Sequence, residues 1–243
     1  MSSGQQQTRL YLVRHCDVHN PRGVLYGHLP GFPLSKKGVR QAQALGEFFE
    51  GKPIRKIYTS PLERAVETAQ IIASHIGDVP IVTTSELIEA HFGQYLQGIK
   101  PAHILWRKPM WWVHMAFPGL PPDDERVDAM AERVRGPLVR LLDEFPGESG
   151  ICVSHGDPIQ AFWVAADGRP SRALHRLQCA KGGVLELDYA DHTLINISYR
   201  ANPLPAKEPA EHGEQIPGET AAGSPPPQRG FLDRLFGTNL KVR

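Results

Sequence analysis

LYLVRHCD, residues Leu10 to Asp17, decides the reading of this chain. Leu10, Tyr11, Leu12 and Val13 form a short apolar run, the pattern of a buried strand. Arg14 and His15 stand at its end, and the turn residues Asn20, Pro21 and Gly23 follow soon after. In open α/β sheets, ligands sit at the carboxyl ends of strands. A guanidinium there grips phosphate oxygens in a fork. An imidazole beside it can attack phosphorus or carry a proton near neutral pH.

The same arrangement returns downstream. Ile151, Cys152 and Val153 make another short apolar strand that ends in Ser154-His155-Gly156. Asp157-Pro158 then reads as an N-cap and a first-turn proline opening a helix. Between the two lies Ile54–Thr59, a second buried strand, followed by Ser60-Pro61-Leu62-Glu63. That tetrad reads as an N-cap, a proline at the first helical position and a capping-box glutamate. The helix it opens runs to Ile76 and buries Leu62, Ala65, Val66, Ala69, Ile72 and Ala73. Arg64 falls in its first turn, where a cation opposes the helix dipole unless an anion shares the site.

The remaining pattern fills out one α/β domain. Ser35 caps a helix with the apolar stripe Val39, Ala42, Leu45, Phe48 and Phe49. A short strand lies near Ile81 and Val82. A long helix starts at Asp123 or Asp124 and ends at Glu144, with Val127, Met130, Val134, Leu138, Leu141 and Leu142 inward. Val184–Tyr189 and Leu194–Tyr199 read as strands flanking an Asp191-His192 turn. Residues 1–8 read as a disordered leader and 9–200 as the folded domain. Residues 201–228, rich in Pro, Gly, Ala, Glu and Ser, read as a linker. A short amphipathic helix is expected over 229–243, with Phe231, Leu232, Leu235 and Phe236 on one face. It is expected to dock a partner or its own domain.

Composition bounds the partners. The chain has 243 residues and a formal net charge of +1, which gives no electrostatic footprint for nucleic acid. No apolar run is long enough to span a bilayer. The 3 cysteines, Cys16, Cys152 and Cys179, form no CxxC pair, and the first residues hold no apolar signal core. Both features point to a reducing, cytoplasmic setting. The 11 histidines include His15-x-x-x-His19, a helical ligand spacing, but that segment is a strand end and a turn. With no H-E-x-x-H and no cysteine cluster, no metal site is expected.

Arg14-His15, Arg64 and Ser154-His155-Gly156 thus fall at strand ends or helix starts of one pattern. Together with G-x-x-x-Gly27, Leu34-Ser35-x-x-Gly38-x-x-Gln41-Ala42, TSPLERAVETA, LIEAHFG and VSHGDP, they resemble the histidine phosphatase superfamily, which includes the cofactor-dependent phosphoglycerate mutases. The resemblance covers Arg9 to Tyr199. It implies a Rossmann-like three-layer α/β sandwich around a mostly parallel sheet, with no metal and no other cofactor. It implies His15 as nucleophile, Arg14, Arg64 and His155 as phosphoryl-binding groups, and Glu89 as general acid, with Glu86 the rival. Asn20 is expected to supply a phosphate-binding amide from the loop, one residue early relative to the mutases.

The chain departs from the family pattern in several places. Cys16 stands where glycine is usual; a small-residue replacement is favoured over an oxidisable thiol. Asp17 replaces a glutamate. Gln94-Tyr95-Leu96-Gln97-Gly98 replaces W-E-G, and PPDDERVD replaces Gly-Glu-Ser before the long helix. These losses favour hydrolysis of a small phosphomonoester through a phosphohistidine. The alternatives are a phosphoglycerate-type mutase and a catalytically weak member acting as a binding module. The run from Trp106 to Phe117 reads as a lid, a dimer face or core filling, with core filling first for Trp106. His91, His103 and His114 read as loop or surface residues, His91 being close enough to Glu89 to line a pocket. Phe162 and Trp163 read as core.

Overall fold

The computed structural model describes residues 7–77, 79–91, 96–107, 112–113, 116–117, 120 and 124–202. Six strands form one sheet in the order β3-β2-β4-β1-β5-β6. They are β1 (Gln7–Arg14), β2 (Ile54–Thr59), β3 (Ile81–Thr83), β4 (Ser149–Ser154), β5 (Val184–Ala190) and β6 (Thr193–Arg200). β1, β2, β3 and β4 run parallel, and β5 and β6 add an antiparallel pair beside β1. The helices are α1 (Lys36–Phe49), α2 (Glu63–Ile76), α3 (Pro101–Arg107), α4 (Val127–Glu144) and α5 (Gly156–Ala166).

β1 explains the layers. It is buried on both faces, so successive side chains enter different cores. Leu10 and Leu12 pack with Val134, Leu138 and Leu141 of α4 and with Ile159 and Phe162 of α5. Tyr11 and Val13 pack with Leu45 and Phe49 of α1 and with Ala65, Ala69 and Ile72 of α2. The result is the expected three-layer sandwich. β4 lies between β1 and β2, with Arg14 opposite Ser154 in register. The chain leaves β1 toward one edge of the sheet and reaches β5 on the other side. The carboxyl ends of β1 and β4 therefore form the switch point at which such sheets bind ligands.

Several local expectations change. β1 starts at Gln7, so two residues of the expected leader belong to the sheet, where Gln7 and Thr8 pair with Ala190 and Tyr189. Val39 is 37% exposed. Gly38, Ala42, Leu45 and Phe49 define the buried face of α1, and Val39 sits about 100° around the helix from Gly38. α2 begins at Glu63, with Leu62 at the cap position; the Ser60 hydroxyl accepts the Leu62 N–H at 3.3 Å and also a bond from His155. α5 begins at Gly156, with His155 at the cap and Asp157 in its first turn. α4 begins at Val127, not Asp123 or Asp124. Just before it the backbone is held away from helical geometry, since the Glu125 N–H donates to the His91 carbonyl.

Phe162 is buried as expected, and Trp163 is half-buried with its ring stacked on Tyr199. Trp112 and Phe117 are 49% and 61% exposed, which places them on the surface of the described structure. Trp111, the Trp106 side chain and His114 lie outside the described residues, as do residues 203–243 with most of the linker and the terminal helix.

The loop after β1 is pinned at Asp17. Its carboxylate accepts from Ser35 Oγ at 2.7 Å and pairs with Lys181 Nζ at 2.7 Å. Ser35 also caps α1, accepting from the Gly38 N–H at 3.0 Å. A Cβ on Gly38 would stand 2.0 Å from the Asp17 carbonyl oxygen, a backbone atom that cannot step aside. Gly38→Ala is expected to destabilise the protein by about 3 kcal/mol. Urea unfolding checks this, and an unchanged midpoint would contradict it.

Candidate active site

Three strand tips and one helix start converge at the switch point. His15 follows β1, and its N–H donates to the Ser154 carbonyl at 2.9 Å. His155 follows β4, and the two imidazole centroids lie 5.1 Å apart. Ser60 follows β2, its N–H bonded to the Val153 carbonyl. Arg64 enters from the first turn of α2 and is only 1% exposed.

Hydrogen bonds fix the protonation pattern. His15 Nδ1 lies 2.8 Å from the Cys16 carbonyl oxygen, which can only accept. The ring proton therefore sits on Nδ1, and Nε2 carries the lone pair. Arg64 Nε donates to that Nε2 at 3.3 Å. Arg64 Nη2 donates to His155 Nδ1 at 3.2 Å and to the Gly27 carbonyl at 2.9 Å. His155 must then carry its proton on Nε2, which donates to Ser60 Oγ at 2.7 Å. The Arg64 guanidinium also lies 4.7 Å from the Tyr26 ring centroid, a cation–π contact.

Arg14 stands at the rim. Nη1 donates to the Cys179 carbonyl, while Nε is buried without a hydrogen-bond partner. A Cβ on Gly156 would stand 3.2 Å from Arg14 Cζ, so the glycine lets the guanidinium lie against the start of α5. An orphaned buried donor on a charged group is costly, and an anion would satisfy it.

Glu89 is buried beside these cations. Oε1 accepts from the Ala90 N–H at 3.0 Å, and Oε2 lies 3.8 Å from His155 Nδ1. Burial is the main cause that raises its pKa to about 7, with Asp157 adding repulsion and Arg64 opposing the rise. Both histidines shift the other way. Burial lowers His15 and His155 well below the usual imidazole value, and neighbouring positive charge lowers them further. Near pH 7 the site thus holds two neutral imidazoles and a carboxyl group poised to titrate.

The remaining candidates separate clearly. Glu86 faces away, paired with Arg140 and hydrogen-bonded to Thr84 Oγ1, and that pairing holds its pKa below the usual value. Asn20 stays in its own turn: Nδ2 donates to the Val24 carbonyl at 2.8 Å and Oδ1 accepts the Val24 N–H at 3.2 Å. The structure thus ties the Asn20 side chain to the loop backbone. The Cys16 thiol is buried and pushed up to about 12, which makes it a poor thiolate former. His91 and His103 are exposed, and the His91 ring meets His28 edge to face at 4.6 Å.

Ser60 and His28 were not among the expected site residues. Ser60 carried the same strand-tip signal as the two histidines, but its capping pattern masked it. His28 Nε2 donates to the Glu89 carbonyl at 2.8 Å. It also lines a cavity of about 230 Å³ beside Arg64, with Leu29, Pro30, Phe32, Pro61 and Leu62. A larger hollow of about 690 Å³ lies among α4, α5 and β6 and holds none of these groups, so size alone does not locate the chemistry. Among the described residues, no three His, Cys, Asp or Glu side chains are grouped to hold a metal ion.

The raised pKa of Glu89 carries a stability consequence. Below about pH 4.5 the carboxyl is protonated both folded and unfolded. As pH rises toward 7 the unfolded chain ionises first, so folding stability falls, and above about 7 the penalty is complete. Glu89→Gln is expected to be more stable than the parent at pH 8, by up to about 3 kcal/mol, and equal to it at pH 4. Denaturant unfolding at both pH values checks this; a variant less stable at pH 8 would contradict it.

Comparisons with known proteins agree with this fold. An uncharacterized protein of Mycobacterium tuberculosis, Rv0525, is 33% identical over 199 residues, covering 80% of this chain and 96% of the relative. Phosphoglycerate mutase-like protein 4 of Arabidopsis thaliana is 32% identical, covering 77% and 83% of the two chains. Among solved structures, mycobacterial glucosyl-3-phosphoglycerate phosphatase Rv2419c bound to VO3 superposes with a TM-score of 0.64 at 26% identity, covering 79% and 96%. Residues 10–200 match the model of the histidine phosphatase superfamily, branch 1, and the chain belongs to that superfamily as an enzyme of the histidine phosphatase type.

Proposed function

We propose that the chain is a metal-independent phosphomonoesterase that hydrolyses a small phosphorylated metabolite through a phosphohistidine on His15. One observation carries the reading. His15 Nδ1 is tied to the Cys16 carbonyl, so the unprotonated Nε2 is the ring atom that faces Arg64. Arg14, Arg64 and His155 bind the phosphoryl oxygens, and the unpartnered Arg14 Nε is a donor in waiting. Nε2 attacks phosphorus while the Glu89 carboxyl protonates the departing oxygen. The Glu89 carboxylate then takes a proton from the water that attacks the phosphohistidine, and inorganic phosphate leaves. Fixed cations around a buried site stabilise the charge that moves between oxygens.

A phosphoglycerate-type mutase remains the second reading, supported by the name of the Arabidopsis relative. Nothing among the described residues favours the binding-module reading, since the two histidines, two arginines and Glu89 are assembled. The expected cytoplasmic setting is supported by free, buried thiols at Cys16, Cys152 and Cys179. No helix among the described residues is long and apolar enough to cross a membrane.

The test is turnover of an aryl phosphate with a chelator present, for the intact chain and for His15→Ala. Turnover that resists the chelator and is lost by at least about a thousandfold in the variant is expected. Turnover that the chelator abolishes, or that His15→Ala retains, would overturn the mechanism. For an alkyl phosphate, whose leaving oxygen needs a proton, kcat/KM is expected to fall as pH rises through about 7, where Glu89 loses its proton. A profile flat to pH 9 would contradict the acid role. Interconversion of phosphoglycerates that depends on bisphosphoglycerate priming would move the assignment to the mutase.

A further inference from the structure

Glu89 sits on an irregular segment, just after a single 3-10 turn at Ser85–Leu87. Such backbone needs outside partners for its carbonyl groups. The structure supplies them for each of the carbonyls from residue 86 to residue 89. Ser154 Oγ donates to the Leu87 carbonyl at 2.8 Å, and His28 Nε2 donates to that of Glu89 at 2.8 Å. The other two go to one side chain. Arg133 Nη1, from α4, donates to the Glu86 carbonyl at 2.7 Å and to the Ile88 carbonyl at 2.8 Å.

Arg133 is itself held rigidly. Nε donates to Glu125 Oε1 at 2.6 Å and Nη2 to Oε2 at 2.9 Å, a bidentate fork. The pair is mostly buried, with 17% and 14% of its side-chain surfaces exposed. Glu125 reaches the same segment a second way. Its N–H donates to the His91 carbonyl at 2.8 Å, and its Oε2 accepts the His91 N–H at 3.3 Å. One ion pair therefore grips the backbone on both sides of Glu89 while touching neither the phosphoryl site nor the Glu89 carboxyl.

We propose that Arg133, braced by Glu125, is the positioning residue that holds Glu89 within proton-transfer reach of the leaving oxygen. This rests on the acid role given to Glu89 above. Only Arg fits: a planar fork serves two carboxylate oxygens and two carbonyls at once, whereas a lysine offers a point charge. A displaced acid hurts the substrates that need protonation and spares those that do not.

The experiment compares kcat/KM, which reports transfer from substrate to His15, for two substrates. One is an alkyl phosphate with a poor leaving group, and the other is nitrophenyl phosphate with a good one. The variants are Arg133→Lys, Arg133→Ala, Glu125→Gln and Glu89→Gln. Glu89→Gln is expected to lose about a hundredfold or more on the alkyl ester and far less on the aryl ester. Arg133→Lys is expected to show the same selectivity with a loss of at least about tenfold on the alkyl ester, and Glu125→Gln a smaller selective loss. Added guanidinium is expected to restore part of the alkyl-phosphate activity of Arg133→Ala.

If Arg133→Lys fails to fold, Glu125→Gln alone decides the matter, because it keeps the shape of the brace. An equal loss on both substrates in Glu89→Gln overturns the acid assignment itself. A selective loss in Glu89→Gln, beside an equal loss or none in the folded Arg133 or Glu125 variants, overturns the positioning role alone.

Discussion

Arg64 holds a permanent charge at 1% exposure, deep at the point where three parallel strands end. Its guanidinium donates to Gly27, His15 and His155, and it lies over Tyr26. Burying such a group is unfavourable by several kcal/mol unless good partners surround it. The partners here are mostly neutral acceptors, so much of the charge remains available to an incoming anion. The neighbouring groups are adjusted around that field. His15 and His155 stay neutral beside the cation, and each presents a lone pair to it.

Two groups with opposing shifts divide the chemistry. The same burial that lowers the imidazoles raises Glu89 to about 7, so the proposed nucleophile and the proposed acid both occur in the form their roles require near neutral pH. The arrangement weakens the fold, as strained active sites commonly do. The cost is contained by rigid surroundings: parallel strands set His15 against Ser154, and side chains anchor the segment that bears Glu89.

Much of this was legible in the sequence, because its signals were local. A short apolar run ending in histidine marked both imidazoles, and the first turn of a helix after a strand marked Arg64. The Ser35 cap was equally local and formed as expected. Ser60 was only half legible for the same reason: serine followed by proline and glutamate matches a helix cap, and its hydroxyl does accept the Leu62 N–H, while its bond to His155 exists only in the tertiary structure. The sequence favoured Glu89 over Glu86, but the pairing of Glu86 with Arg140 and the bracing of Glu89 by Arg133 were not legible, since both arginines lie more than 40 residues away in the chain. Asn20 was marked by its place after β1, and the bonds its amide makes to Val24 within a short turn were not legible there.

In the proposed mechanism the lone pair on His15 Nε2 accepts the phosphoryl group. The most direct measurement is acid-sensitive trapping: brief mixing with a radiolabelled phosphomonoester, quenching in alkali, digestion and peptide mapping. A label that survives alkali, is lost in acid and maps to the peptide holding His15 is the expected result. A label on another residue, or none while turnover proceeds, would contradict the account.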